Sequence, residues 1–328
     1  MTKEQNPMLN FITRLKKLDS KLGRVAPYWW DNTLSASSGA SQQAIMSISK
    51  YLNLDLKTVL DVDSDLKFKD VSACYKKAGN KAVNDLSVAT GLVYSVSRTV
   101  EKMVVKEIAN FSDPSIIREQ ILELGNSYVN LSSLVKYCWN NGVPVLFLPD
   151  LPASKKMDAV VQNVNGRPVI AITKKHKHES ALLFLLAHEM GHIFEGHLES
   201  GQAIIDESVN EDNQIDQQEM EANNFALALL TGSADTRFHS RGRRITGEAL
   251  AEAARNMGEE KKIDPGHIAL NWAHTTKHWG IANKALNILY PALSWKDELK
   301  AIFIENVDQF EVDEDELDYL LNLMQIEG

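Results

Sequence analysis

The segment from Ser180 to His192 constrains this chain more than any other. Ser180-Ala-Leu-Leu-Phe-Leu-Leu-Ala187 is a continuous apolar run that leads straight into His188-Glu-Met-Gly-His192. Such a run predicts a mostly buried helix. Positions i and i+4 on that helix lie one turn apart on the same face, so His188 and His192 aim imidazole nitrogens at a common point. Polar groups in a buried helix need partners, and one metal ion serves two histidines at once. Glu189 stands beside them. A carboxylate there can take a proton from water and return it to a departing amine, the acid–base chemistry of zinc peptidases.

A catalytic zinc keeps three protein ligands and one open position. An all-histidine set needs glycine and histidine three and six residues after His192, where this chain has Glu195 and Leu198. His197 is one residue out of register and reads as an exposed helix-end histidine. The third ligand is therefore expected to be a carboxylate from a second segment. Asp206, Glu207, Glu211, Asp212 and Asp216, set among Asn, Gln and Ser, read as a solvated loop. Residues 216 to 230 then predict a helix, with Asp216 as N-cap and Glu219 at capping-box spacing. Glu219, Ala222, Asn223, Ala226 and Leu230 share one face, and Glu221, Phe225 and Ala228 another. Asn223, one turn after Glu219, can hydrogen-bond the rear nitrogen of a ligand histidine and fix its tautomer. Glu219 is thus the preferred ligand, with Glu221 as the alternative; the capping box is the competing role for Glu219.

His188-Glu-Met-Gly-His192 followed by Glu219-Met-Glu-Ala-Asn-Asn-Phe-Ala-Leu-Ala-Leu-Leu230 resembles the ImmA/IrrE family of metallo-endopeptidases, over roughly residues 140 to 232. The resemblance implies a zincin-like core with zinc (Zn2+) on His188, His192 and Glu219, and Glu189 as catalytic base. It also implies a protein substrate, an XRE-type helix-turn-helix transcriptional repressor, cleaved when DNA damage or another stress arrives. Thr231-Gly232 departs from the Met-Pro that many members carry there, which leaves the substrate rim unassigned.

Three segments around the motif predict strands: 143 to 148, 158 to 164 and 167 to 173, the last two joined by an Asn165-Gly166 hairpin turn. They imply a small three-stranded sheet. An extended substrate pairs with an edge strand, and the segment Asp158, Ala159, Val160 and Val161 is the candidate edge, with the other hairpin strand as its alternative. Lys174-Lys-His176-Lys-His178 reads as a basic linker from sheet to helix. Farther on, Arg237, Arg241, Arg243 and Arg244 balance the acidic loop. Asp264-Pro265 opens another helix on which His267, Asn271, His274 and His278 share a face. His267 and His274 are candidate donors to an oxyanion or to substrate, although an ordinary polar face accounts for the same stripe.

Residues 1 to 112 read as almost entirely helical, with Trp29-Trp30 plugging a bundle core. Residues 85 to 98, with Gly91 central, resemble a repressor helix-turn-helix whose second helix is out of register. Residues 1 to 110 carry only a +5 charge balance, which does not favour nucleic-acid binding, and a sensor or docking role is the preferred reading. The remainder carries −14, and residues 305 to 328 hold nine carboxylates and no basic residue. Helical spacing of Phe303, Val307 and Phe310, then of Leu317, Leu320, Leu321 and Met324, makes that tail a solvated helix face.

The expected architecture is predominantly helical α+β. Residues 1–112 form an N-terminal helical domain, 113–285 a metallopeptidase domain and 286–328 an acidic helical region. No membrane span or leader pattern is visible, so a cytoplasmic location is expected. Two cysteines, Cys74 and Cys138, are too few for a disulfide framework and read as structural thiols. A DNA-binding regulator on a zinc scaffold, or a toxin–antitoxin interaction protein, is the alternative. The intact Glu189 argues against a purely structural zinc, which needs no base.

Overall fold

Capping residues mark where this chain turns helical. Asn6, Ser37, Asp55, Asp113, Asn130, Thr246, Asp264 and Asp313 each accept a hydrogen bond from a backbone N–H in the first turn of the helix that follows. The computed structural model describes residues 6–69, 72–74, 80–198, 202–206, 217–240, 245–291 and 295–326. Before the segment that bears the His188–His192 motif lie α1 (Pro7–Leu18), α2 (Ser38–Tyr51), α3 (Leu56–Leu60), β1 (Ser72–Cys74), α4 (Asn80–Met103), α5 (Pro114–Glu123) and α6 (Leu131–Asn140). Then come β2 (Val145–Phe147), β3 (Ala159–Val164), β4 (Arg167–Ile172), α7 (Glu179–Phe194), β5 (Gln202–Asp206) and α8 (Gln217–Thr231). The chain closes with α9 (Gly247–Lys261), α10 (Pro265–Thr276), α11 (Trp279–Leu289), α12 (Trp295–Glu305) and α13 (Glu314–Met324). The protein is thus α+β and mainly helical, and none of its described helices is long and apolar enough to cross a membrane.

The sheet has five strands in the order β1-β5-β3-β4-β2, not the three expected. β3 and β4 form the predicted hairpin, with Asn165 and Gly166 both at positive φ in the turn. β2 joins β4 in parallel, and β5 pairs antiparallel with the other side of β3. Ala159, Val160 and Val161 are therefore bonded on both sides, to β4 and to β5, and Asp158 immediately precedes them. This overturns the edge-strand assignment of Asp158 to Val161. Two short strands from distant segments, β5 and β1, cover that side, and β2 covers the other hairpin strand. β5 also replaces the start of the expected solvated loop; residues 207–216, with Asp216, lie outside the described residues.

Helix α4 runs unbroken through Gly91, so residues 85 to 98 do not form the helix-turn-helix that they resemble in sequence. A Cβ on Gly91 would meet the Phe68 ring at 2.7 Å, which gives the glycine a packing reason instead of a turn. α4 packs on β3 and β4 and α7 packs beneath the same strands, so the sheet is sandwiched between helices from different parts of the chain. A single hydrophobic cluster runs from Met8 and Phe11 through Val93, Ile170 and Leu186 to Phe303 and Met324. The boundary expected at 112 lies between Phe111 and Ile117, both members of this cluster. Among the described residues, α9, α10 and α11 add two separate apolar clusters, one around Leu250, Trp272 and Leu286 and one of Ala254, Ile263 and Ile268.

The acidic tail docks through its apolar positions while Glu305, Asp308, Glu311, Asp313 and Glu314 remain exposed. α12 ends at Glu305, Phe310 is 97% exposed, and the helical spacing resumes in α13, where Leu320, Leu321 and Met324 are buried. Glu316 of α13 is 3.2 Å from Lys50 and 3.8 Å from Lys102, Asp313 also pairs with Lys50, and Trp29 Nε1 donates to Asp315 at 3.1 Å. Trp29 and Trp30, only partly buried, flank this contact rather than plug a core. Cys138 is a buried free thiol whose pKa burial pushes up.

Candidate metal centre

Helix α7 is apolar on nearly every face and lies buried, as its sequence requires. Its polar positions cluster in the second half. His188, Glu189 and His192 are 5%, 0% and 0% exposed. α8 packs along it, and the closest approach is at Gly191, where a Cβ would stand 2.8 Å from the Ala222 Cα. Phe194 and Phe225, ring centroids 5.1 Å apart, close the C-terminal end of α7 against α8.

This approach brings Glu219, in the first turn of α8, to the two histidines. His188 Nε2 and His192 Nε2 are 3.1 Å apart. Glu219 Oε2 lies 3.3 Å from the first, and Glu219 Oε1 lies 3.6 Å from the second. One ligand atom from each of the three residues falls within a 4.8 Å circle, an arrangement that can hold a metal ion. The ring orientations fit that use. His188 Nδ1 is 3.2 Å from the Asn223 side-chain oxygen, an acceptor, so the proton belongs on Nδ1 and the Nε2 lone pair faces the cluster. Two imidazole nitrogens and one carboxylate with a fixed tautomer form a donor set for a borderline-soft divalent cation. Glu189 follows His188 directly in α7 and is fully buried.

His197 is the residue the sequence reading misplaced. Its side chain is 6% exposed, its Nδ1 is 2.9 Å from His192 Nδ1, and its Nε2 is 2.9 Å from Glu221 Oε2. The cause is the way α7 ends. Gly196 takes φ +70° and bonds through its N–H to Ile193 O, and His197 N–H bonds to His192 O at 3.0 Å. These are the two bonds of a Schellman turn, which folds the chain back so that His197 stands beside His192. Gly196 after the last apolar residue was the readable signal for it. Glu221, set aside as a ligand, instead faces His197.

Neither His267 nor His274 is a member of the cluster of His188, His192 and Glu219. His267 is 2% exposed, both its ring nitrogens lack a hydrogen-bond partner among the described residues, and burial alone pushes its pKa down to about 4. Its ring stacks on Phe184 at 6.0 Å, and the other neighbour of Phe184 is His188, at 6.3 Å. His267 is thus part of the packing behind the centre. His274 lies on the exposed face of α10, and Asn271 ties α10 to Phe238 and Thr236 through backbone bonds. Arg241, Arg243 and Arg244 lie outside the described residues. Lys174 and Lys175, leading from β4 into α7, pair with Asp158 and Asp150.

Neither curated proteins nor solved structures gave a match to this chain. Residues 139–255 match the family model of the IrrE N-terminal-like domain, from α6 into α9, and so include the hairpin, both ligand helices and the cluster of His188, His192 and Glu219. Over residues 139–255 the chain is thus similar to the IrrE N-terminal-like domain of a peptidase family.

Proposed function

We propose that this protein is a zinc-dependent endopeptidase with a regulatory substrate. The observation that carries the reading is the convergence of His188 Nε2, His192 Nε2 and a Glu219 carboxylate oxygen beside the buried Glu189. A structural site would close its fourth position with another side chain and would need no adjacent base. His188, His192 and Glu219 would hold the ion, and Asn223 would keep the His188 ring turned towards it. Zinc, when bound, supplies a Lewis acid that polarises the scissile carbonyl and brings water closer to ionising at neutral pH.

Glu189 accepts the proton of the attacking water as its oxygen bonds to the carbonyl carbon. It delivers that proton to the amide nitrogen as the C–N bond breaks. The resemblance to the ImmA/IrrE family points to an XRE-type helix-turn-helix repressor as substrate and to stress as the trigger. The unbroken α4 removes the feature that had favoured DNA binding by this chain itself. Glu189→Gln tests the reading. The variant should keep its metal yet fail to cleave a helix-turn-helix repressor encoded beside this gene, and unchanged cleavage would sink the proposal.

A further inference from the structure

The two ligand histidines are held from behind by unlike partners. His188 Nδ1 meets a neutral amide oxygen, that of Asn223. His192 Nδ1 meets a second imidazole, His197, which in turn meets the Glu221 carboxylate. We propose that His197 and Glu221 are positioning residues for the metal centre. In this arrangement a carboxylate, acting through an interposed imidazole, fixes His192 with Nδ1 protonated and Nε2 free to ligate. The inference rests on the reading of His188, His192 and Glu219 as ligands.

The polarity of the relay follows from counting hydrogens. A neutral imidazole carries one N–H. If His192 gives its Nε2 lone pair to a metal, its hydrogen is on Nδ1 and donates to His197 Nδ1, 2.9 Å away. That nitrogen is then an acceptor, so the His197 hydrogen is on Nε2, where it donates to Glu221 Oε2 at 2.9 Å. An ionised carboxylate only accepts, which ends the chain. The reverse polarity would set the His197 Nε2 lone pair against Glu221 and aim a His192 N–H at the ligand cluster. Gln217 Nε2 donates to the other Glu221 oxygen at 2.7 Å, and the Schellman turn at Gly196 holds His197 from the backbone side. With the His192 and His197 side chains 0% and 6% exposed, water competes little for these bonds.

Two measurements test this. In long-range 1H–15N spectra of the zinc-loaded protein, His192 should be protonated on Nδ1 and His197 on Nε2; a His197 protonated on Nδ1 overturns the relay. Zinc affinity, measured by chelator competition, should weaken about 10- to 100-fold in His197→Phe and in Glu221→Ala. The double variant should be no weaker than either single one, because both break one chain. His197→Gln, which can accept through its oxygen and donate through its nitrogen, should restore much of the affinity. Parent-like zinc affinity in His197→Phe, or additive losses in the double variant, overturns the proposal. His188→Ala and Glu219→Ala separate the two readings. If they lose zinc while His197→Phe does not, only the relay fails; if they too keep zinc, the ligand assignment fails.

Discussion

Gly191 of α7 and Ala222 of α8 touch backbone to backbone, with only 2.8 Å between the position of a Gly191 Cβ and the Ala222 Cα. This contact sets the distance at which Glu219 and Asn223 meet His188. Gly191→Ala must push the helices apart, at about 1–3 kcal/mol for overpacking. We expect a lower Tm together with weaker zinc binding. A variant that melts lower but binds zinc as the parent does would show that the contact serves stability alone.

Zinc that binds the folded state and not the unfolded chain raises stability, by about 4 kcal/mol at a thousandfold excess over Kd. Chelation should therefore lower the Tm of the parent. Glu219→Ala should melt at the same temperature with and without chelator, whereas Glu221→Ala should still respond. Calorimetry with and without chelator reads the difference, and a chelator-sensitive Glu219→Ala would refute its place as ligand.

Asp264 and His267 set opposite pH dependences in one buried spot. Burial pushes the Asp264 carboxyl up to about 6, against hydrogen bonds from the Tyr290 hydroxyl and from the His267 and Gly266 N–H groups. Its raised pKa contributes stability that is full below the usual 3.8 and is lost as pH rises through about 6. His267, pushed down to about 4 from 6.5, contributes stability that is full above 6.5 and is lost as pH falls through about 4. Between those limits the two offset. Asp264→Asn keeps a capping oxygen but removes the compensating proton uptake, so on acidification from pH 6.5 to 4 it should lose up to about 3 kcal/mol more than the parent. Urea unfolding across that range checks this, and parallel pH profiles for the two proteins would refute it.

Arg118 of α5 donates to Leu229 O and Leu230 O at the end of α8, and to Lys261 O and Lys262 O at the end of α9. One guanidinium thus serves two negative helix ends. Arg118→Ala should destabilise by about 1.5–3 kcal/mol, since the part-buried Leu229 and Leu230 carbonyls lose a charged donor. Arg118→Lys should recover little, because an ammonium lacks the planar fork. Chemical denaturation of both variants decides; full recovery by lysine would reduce the contact to simple charge.

The residues of the His188, His192 and Glu219 cluster were readable because helix periodicity is local. His188, His192, Glu219 and Asn223 each follow from the 3.6-residue repeat of a single element, and only the meeting of α7 with α8 had to be supplied by the fold. His197 needed more: its place depends on a left-handed Gly196 reversing the chain, which shifts it out of any helical register. The strand error had a different origin. β3 and β4 are recognisable one at a time, but whether a strand is an edge depends on what pairs with it. Its outer neighbour, β5, is five residues long and reads as the start of an acidic loop. Gly91 misled for a related reason, since a close ring neighbour and a turn call for glycine alike.

The shared core running from Met8 to Met324 has a consequence for the catalytic segment. Residues 139–255 cut out alone would lose α4 from one face of the sheet and α12 from beside β2. The matched segment shares its hydrophobic core with helices on either side of it. Whatever strains or loosens α4, or the α13 helix seated beside it, bears on the sheet that supports α7, so the outer helices and the metal centre share one cooperative unit.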